Sequence, residues 1–418
     1  MPTETIILSP TLAANEKVQA LRAAGRHVYH MGFGQAPFPV HPRLKEALAK
    51  YADQQQYLSV AGLPELCEAV LQHQQTLTGI DATQYDVIVG PGSKLILYAL
   101  QMAIEGDIML PVPSWVSYAP QAKLLGQSVV PVPTVDQDNT LKLTRENLEA
   151  AFVSARSEGM SPTKLLINFP GNPTGITITD ADLQEITEFC LKHKVTLISD
   201  EIYGRLAFDG QYRTASSHYP SGAIVTTGLS KHLSLGGWRL GVGIIPKAMT
   251  GLHRKLVHIA SETWSCVSTP VQYAAIEAYR LHDDVEQYID QCRQIHQIVN
   301  THIADKLRAC GFTCPTPKGA FYTWPDFKKA DSTLDFTTST QLADYLLYKH
   351  GIVSLPGNAF GESDDIMRLR LSGCDYDGAA ALSLFNARGS DYIGQNLHEM
   401  APNVTGALAQ FEQFASLD

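Results

Sequence analysis

One lysine, Lys231, stands where an amine could act as a nucleophile. A β-rich run, Ala223 to Thr227, leads into Gly228, Ser230 and Lys231. A Gly-Gly-Trp-Arg cluster follows, and then a second apolar run from Leu240 to Ile245. A lysine on a loop is ordinarily a solvated charge. Here its neighbours are Ser, Gly, Leu and Trp, which do not read as a charged surface. In such surroundings an amine forms Schiff bases with carbonyl compounds. Ser230 before it and Arg239 after it offer a hydroxyl donor and a planar bidentate fork, a pair suited to phosphate. A lysine aldimine beside a phosphate clamp is what pyridoxal 5′-phosphate requires.

Something must hold that lysine in place. From about residue 85 to 245 short apolar runs alternate with helical patterns: Tyr85–Val89, Ile108–Pro111, Ser128–Val132, Lys164–Phe169, Val195–Ser199, Ala223–Thr227 and Leu240–Ile245. Such alternation predicts a mostly parallel sheet covered by helices on both faces. A helix is expected from Thr179, with a Thr179-x-x-Asp182 capping pattern and one face marked by Leu183, Ile186 and Cys190. Gln54–Gln56 and Gln72–Gln75 read as polar helix surfaces. The residues from about Asn386 to Gln395 read as an insertion. Leu408, Phe411, Phe414 and Leu417 fall at helical spacing and read as core.

Ligands bind beyond the carboxyl ends of the strands in open α/β sheets, so those ends carry the candidates. Gly90-Pro-Gly92-Ser93-Lys94 turns a strand into a helix and presents backbone N–H groups to an anion, although many such turns merely contain glycine. Trp115, in a proline-rich loop, is either plain packing or a plate against a flat heteroaromatic ring. Asn168-Phe-Pro-Gly-Asn172-Pro-Thr-Gly175 contains common turn chemistry. Asp200, at a strand end, is either a turn cap or a buried carboxylate paired with a pyridinium nitrogen. Arg368 and Arg370, two apart, share one face of a strand and are either solvated or a carboxylate fork.

Ser230-Lys231 with Gly237-Trp-Arg239-Leu-Gly241 resembles the cofactor-lysine motif of the class I/II aminotransferases, the aspartate aminotransferase fold type. The resemblance extends from about residue 9 to 385 through eight separated motifs in family order. It implies an α/β fold: a mostly parallel seven-stranded sheet in an α/β/α large domain, 46–300, and a smaller α+β domain made from both chain ends, 1–45 and 301–418. Pro317-Lys-Gly-Ala-Phe-Tyr322 fits a strand entry of the smaller domain.

The resemblance also implies roles. Lys231 holds pyridoxal 5′-phosphate as an aldimine and moves the substrate proton. Gly92, Ser93, Lys94, Ser230 and Arg239 receive the phosphate, and Tyr57 reaches it from a partner subunit. Trp115 stacks on the ring, Asp200 pairs with the ring nitrogen, and Asn172 and Tyr203 donate to the ring oxygen. Arg370 takes the substrate carboxylate, with Arg368 as the fallback, and Gly34 and Asn172 contact the substrate. Gly34-Gln-Ala-Pro37 departs from the Gly-Glu-Pro-Asp that family members more usually carry. The implied reaction moves an α-amino group from an amino acid to a 2-oxo acid by ping-pong kinetics, in a homodimer with shared sites. Val257–Pro270 holds no arginine but has Trp264 and Glu262, which predicts an amino donor with a neutral side chain. The same fold also serves carbon–sulfur β-lyases and PLP-binding regulatory modules that lack turnover. The latter usually carry a helix-turn-helix ahead of this domain, for which a match beginning near residue 9 leaves no room.

Composition narrows the classes further. The chain has 418 residues, 44% of them hydrophobic, enough for a large core and two domains. A net charge of −10 argues against nucleic-acid or anionic-membrane binding. Met1–Pro10 shows no basic, apolar leader pattern, and no run approaches a spanning helix. The seven cysteines are scattered and odd in number, which predicts free thiols and a cytoplasmic setting. Cys310 and Cys314 lie close together, but no second pair completes a zinc site.

Overall fold

The computed structural model describes residues 10–137, 140–328 and 336–417. Ser9, which opens the resemblance, and the side chain of Leu417 lie outside the described residues. All seven expected runs enter one sheet. Its strands are β1 (Tyr85–Gly90), β2 (Asp107–Val112), β3 (Val129–Pro133), β4 (Pro162–Asn168), β5 (Thr196–Asp200), β6 (Ala223–Gly228) and β7 (Gly241–Pro246), in the order β1-β7-β6-β5-β4-β2-β3. β7 runs antiparallel to both its neighbours; the other pairs are parallel.

Burial on both faces explains why these strands read as continuous apolar runs. Every residue of β6 and β7 is buried. Successive side chains point to opposite faces. Leu165, Ile167 and Leu197 pack with Leu183, Ile186 and Phe189 of the helix Asp180–His193. Leu166, Ile198, Ile224 and Ile245 pack with Ile96, Leu97 and Leu100 of the helix Ser93–Ala103 and Leu256 of the helix Leu252–Thr263. The capping box forms as its sequence predicts: Asp182 N donates to Thr179 Oγ1 at 3.1 Å, and Thr179 N to Asp182 Oδ2 at 3.2 Å.

A second region joins distant parts of the chain. Tyr29–His30 pairs in parallel with Ile352–Val353. Leu369–Ser372 lies between Tyr322–Thr323 and Leu355–Pro356 in a small antiparallel sheet. The 27-residue helix Asp283–Ala309 runs through residue 300 and packs its apolar face, including Ile295, Val299 and Ile303, into the largest core. Leu408, Phe411 and Phe414 of the helix Pro402–Leu417 join the same core.

Local expectations are refined, three of them by correction. Gln54–Gln56 lie after the helix Pro42–Lys50, not within one. Gln72–Gln75 are helical, but His73 and Gln74 are buried, so only part of that string is surface. Asn386–Gln395, read as an insertion, is helical: it continues the helix Gly378–Gln395, broken at Gly389 with φ 80°. Arg368 precedes the strand Leu369–Ser372; it faces Glu362, Asp326 and Asp136 and is occupied by them. Among the described residues no helix is long and apolar enough to cross a membrane, and no three His, Cys, Asp or Glu side chains cluster as metal ligands.

Candidate active site

Ends of six strands of the large sheet, β1, β2, β4, β5, β6 and β7, and one small strand surround Lys231. β5 ends on Asp200, which is 3% exposed and therefore a carboxylate out of water. Tyr118 donates its hydroxyl to Asp200 Oδ2 at 2.7 Å, and Thr226 Oγ1 donates to Oδ1 at 3.2 Å. Burial drives the Asp200 pKa up to about 6 from 3.8; the Tyr118 and Thr226 hydrogen bonds restrain it, as does the nearby Lys231 charge. Glu201, the next residue, turns away. Its Oε1 accepts from Thr214 Oγ1 at 2.9 Å and Ala215 N at 3.1 Å, a structural clamp.

Lys231 follows β6 by three residues. Its Nζ donates to Gly34 O at 3.1 Å and lies 5.6 and 5.7 Å from the ring centres of Tyr203 and Phe321. Although the residue is only partly buried by area, protein atoms crowd its amine. Desolvation lowers its pKa from 10.5 to about 8; Cys374 and Asp200 oppose that fall, and Arg370 and Arg239 add to it. The amine's pKa is thus brought down toward neutrality, the direction a nucleophile or proton carrier requires.

On one side of Lys231 the chain makes a cradle. Gly92, with φ 89°, caps the helix Ser93–Ala103, leaving that helix's first N–H groups open. Arg239 holds the left-handed conformation at φ 52°, with its guanidinium donating to Gly236 O at 2.8 Å and to Pro91 O at 3.4 Å. A Cβ on Gly92 would stand 2.4 Å from Arg239 Nη2, and one on Gly241 only 2.2 Å from Ser93 N. Glycine is needed at both positions because backbone and guanidinium meet there. Lys94 lies with its Nζ 4.9 Å over the Trp115 ring, and burial lowers its pKa. Ser230 stands at the same strand end.

On the other side lies Arg370, 2% exposed. Its Nη1 donates to Asn172 Oδ1 at 3.0 Å and its Nη2 to Gly32 O at 2.6 Å, while its buried Nε has no partner. Such a guanidinium retains capacity for an anion. Tyr203 and Tyr322 hydroxyls are 3.0 Å apart.

The structure therefore gathers Gly34, Gly92, Ser93, Lys94, Trp115, Asn172, Asp200, Tyr203, Ser230, Lys231, Arg239 and Arg370 around one centre. Tyr57 is not among them; it is 92% exposed. Trp264 donates Nε1 to Val89 O at 3.3 Å and Glu262 is exposed, so within this chain neither faces the centre. Sequence reasoning missed Tyr118, Thr226, Tyr322 and the Gly32 carbonyl. Tyr118 follows Trp115 by three residues across a turn and opens the helix Tyr118–Leu124, and its closeness to Trp115 was the available signal. Thr226 is a hydroxyl inside an otherwise apolar strand.

A buried carboxylate, a lysine with a lowered pKa and an anion cradle at the ends of a seven-stranded sheet, with a buried arginine on the small sheet beside them, are groups that amino-group transfer can use. The chain belongs to the aminotransferase class I and II family, whose family model matches residues 26–379; it is an aminotransferase, a transferase. It is 33% identical to the asparagine–oxo-acid transaminase of Streptococcus mutans over 86% of this chain and 91% of that protein. It is likewise 33% identical to an aspartate aminotransferase of Geobacillus stearothermophilus, over 86% and 90% of the two chains. Its fold matches an aspartate aminotransferase from Thermus thermophilus solved with maleate, with a TM-score of 0.82 and 24% identity over 97% of each chain.

Proposed function

We propose that this chain moves the α-amino group of an amino acid to a 2-oxo acid, using pyridoxal 5′-phosphate held covalently by Lys231, with ping-pong kinetics. The observation that carries this reading is the Lys231 amine enclosed between the buried Asp200 carboxylate and the buried Arg370 fork. The residues present fit the cofactor. The cradle at Gly92 and Gly241 has no room for a Cβ, and its donors suit a phosphate. Bound there, the cofactor supplies a ring that takes up negative charge from the substrate's Cα.

The chain's own residues do the rest. Gly92, Ser93, Lys94, Ser230 and Arg239 bind the phosphate, and Trp115 covers the ring. Asp200, steadied by Tyr118 and Thr226, holds a proton at the ring nitrogen; electrostatic stabilisation of this kind is the largest catalytic term in many enzymes. Tyr203 and Asn172 donate to the ring oxygen. Arg370 orients the substrate by its carboxylate beside Gly34 and Asn172. Lys231, titrating near 8, carries the proton to and from Cα.

The working assembly in this reading is a cytoplasmic homodimer in which Tyr57 completes the neighbour's phosphate site, with domains divided at about 46–300. The test is direct. Borohydride treatment of the purified yellow protein should fix the cofactor on Lys231, read by peptide mapping. Turnover should require a 2-oxo acid, whereas a β-lyase would release product without one. Attachment at another lysine, or turnover independent of oxo acid, sinks the proposal.

A further inference from the structure

We propose that Tyr322 is a positioning residue that aims the hydroxyl proton of Tyr203 and seats the guanidinium of Arg370, so that one phenol sets both ends of the substrate site. This rests on the roles just given to Tyr203 and Arg370.

Strand geometry explains how Arg370 is seated. Tyr322 stands opposite Ser372 in an antiparallel pair, and Arg370 is two residues before Ser372. The two side chains are therefore diagonal neighbours on one face. The Arg370 guanidinium carbon lies 4.6 Å from the Tyr322 ring centre, over a ring that is 1% exposed. A cation over an aromatic face out of water is held firmly and in a defined plane.

Hydrogen bonding explains how the Tyr203 proton is aimed. Arg370 Nη1 donates to Asn172 Oδ1 at 3.0 Å, which leaves Asn172 Nδ2 as the donor end of that amide. Asn172 Nδ2 lies 3.5 Å from the Tyr322 hydroxyl oxygen, which accepts from it. The Tyr322 proton is then free for the Tyr203 oxygen, 3.0 Å away. Tyr203 consequently points its own proton away from Tyr322. Burial raises the pKa of both phenols, so each keeps its proton at neutral pH. A chain of donors that begins on a cation polarises each successive O–H, and Tyr203 becomes the stronger donor at its end. The Tyr322 hydroxyl has little freedom to leave this place: a Cβ on Gly34 would fall 1.9 Å from it.

The experiment compares Tyr322→Phe and Tyr322→Leu with the parent, each as cofactor-loaded protein. Phe keeps the ring beneath Arg370 and removes only the hydroxyl. KM for the amino donor should stay within about twofold while kcat falls roughly tenfold, the loss expected from one weakened charge-assisted donor. The pH midpoint of the bound cofactor's visible absorption should rise by about half a unit, because the ring-oxygen charge is offset less and a nearby proton is held to higher pH. Leu removes the ring as well, and should in addition weaken binding of propionate, an unreactive carboxylate, by roughly tenfold. An unchanged midpoint and kcat in Tyr322→Phe overturns the proposal, whether or not the leucine variant folds. So does a parallel change of KM and kcat in both variants with no shift of midpoint, which is what a merely structural residue would give. Borohydride mapping on the parent separates the two readings: failure to label Lys231 there counts against the proposed function, not against Tyr322 alone.

Discussion

Tyr118, the first residue of the helix Tyr118–Leu124, and Asp200, the last of β5, are 82 positions apart and meet through a 2.7 Å hydrogen bond from phenol to carboxylate. That contact is one of the hydrogen bonds holding a buried acid near pKa 6 rather than higher. Tyr118→Phe keeps the ring and deletes the donor. The Asp200 pKa should rise further, so that less of it is ionised at pH 7. We expect kcat/KM to fall about 10- to 100-fold, the range of a hydrogen bond to a charged group, with the acidic limb of the pH–rate profile moved upward. Asp200→Ala, which removes the charge itself, should cost about 10²–10⁴ in rate while retaining some cofactor. A Tyr118→Phe profile that superimposes on the parent's would show that Tyr118 does not tune Asp200.

The two titrating groups at the centre pull cofactor-free stability in opposite directions with pH. Asp200 has a folded pKa of about 6 against 3.8. The folded chain binds the extra proton between those values, so its contribution is present below 3.8 and is lost as pH rises through about 6. Lys231 has a folded pKa of about 8 against 10.5. Its contribution is present above 10.5 and is lost as pH falls through about 8. Near pH 7 both groups are ionised at a cost, with a shift from 10.5 to about 8 corresponding to on the order of 3 kcal/mol. Lys231→Met should therefore stabilise the cofactor-free protein at pH 7 by about 1–3 kcal/mol and leave it little changed at pH 10.5. Urea melts at the two pH values decide this; equal effects at both would refute it.

Gly241→Ala places a methyl group 2.2 Å from Ser93 N and 2.5 Å from Gly92 C, where only backbone can yield. Overpacking of this kind costs about 1–3 kcal/mol. Because the displaced backbone is the anion cradle, cofactor affinity should fall more than stability does, by at least about tenfold. Equilibrium dialysis against thermal unfolding of the cofactor-free protein compares the two losses. Retained cofactor affinity would detach the cradle from phosphate.

Tyr57, 92% exposed in the single chain, is assigned to a neighbour's site. Hybrids of Lys231→Ala with Tyr57→Phe should then contain one site carrying both defects and one carrying neither. Activity on mixing should recover to about a quarter of the parent value per chain at equal mixing. The tested quantity is activity against mixing ratio, and a strictly additive response would rule out sharing.

The strands were legible because burial on both faces forces continuous apolar runs, and all seven were found within one or two residues. Lys231, Asp200 and Asn172 were legible because each follows such a run. Tyr322 was not, since its significance comes from pairing with Ser372 across the small sheet, a relation between residues 50 positions apart. Arg370 and Arg368 look alike in sequence. Only the carboxylates around Arg368, contributed by Asp136, Asp326 and Glu362, distinguish the engaged arginine from the one with an open nitrogen. Gln74 shows the opposite error: a polar residue was assigned to the surface, yet it lies 2% exposed within the helix Pro64–Thr78.

The parallel pairing of Tyr29–His30 with Ile352–Val353 has a consequence for biosynthesis. The carbonyls of Gly32 and Gly34, which receive Arg370 and Lys231, lie just beyond that strand and make contacts spanning 338 and 197 positions. A ribosome that has made the whole seven-stranded sheet has not yet made the strand on which the N-terminal segment docks. Contacts of such long range form late and slowly. Until about residue 372 has emerged, Arg370 and the strand that holds it are absent, and the segment carrying Gly32 and Gly34 has no partner strand at Ile352–Val353. The same late segment supplies Ile352, Leu369 and Phe411 to the core that covers Val89, Val225 and Val242 of the large sheet, so the site and part of its supporting core are completed together, at the end of translation.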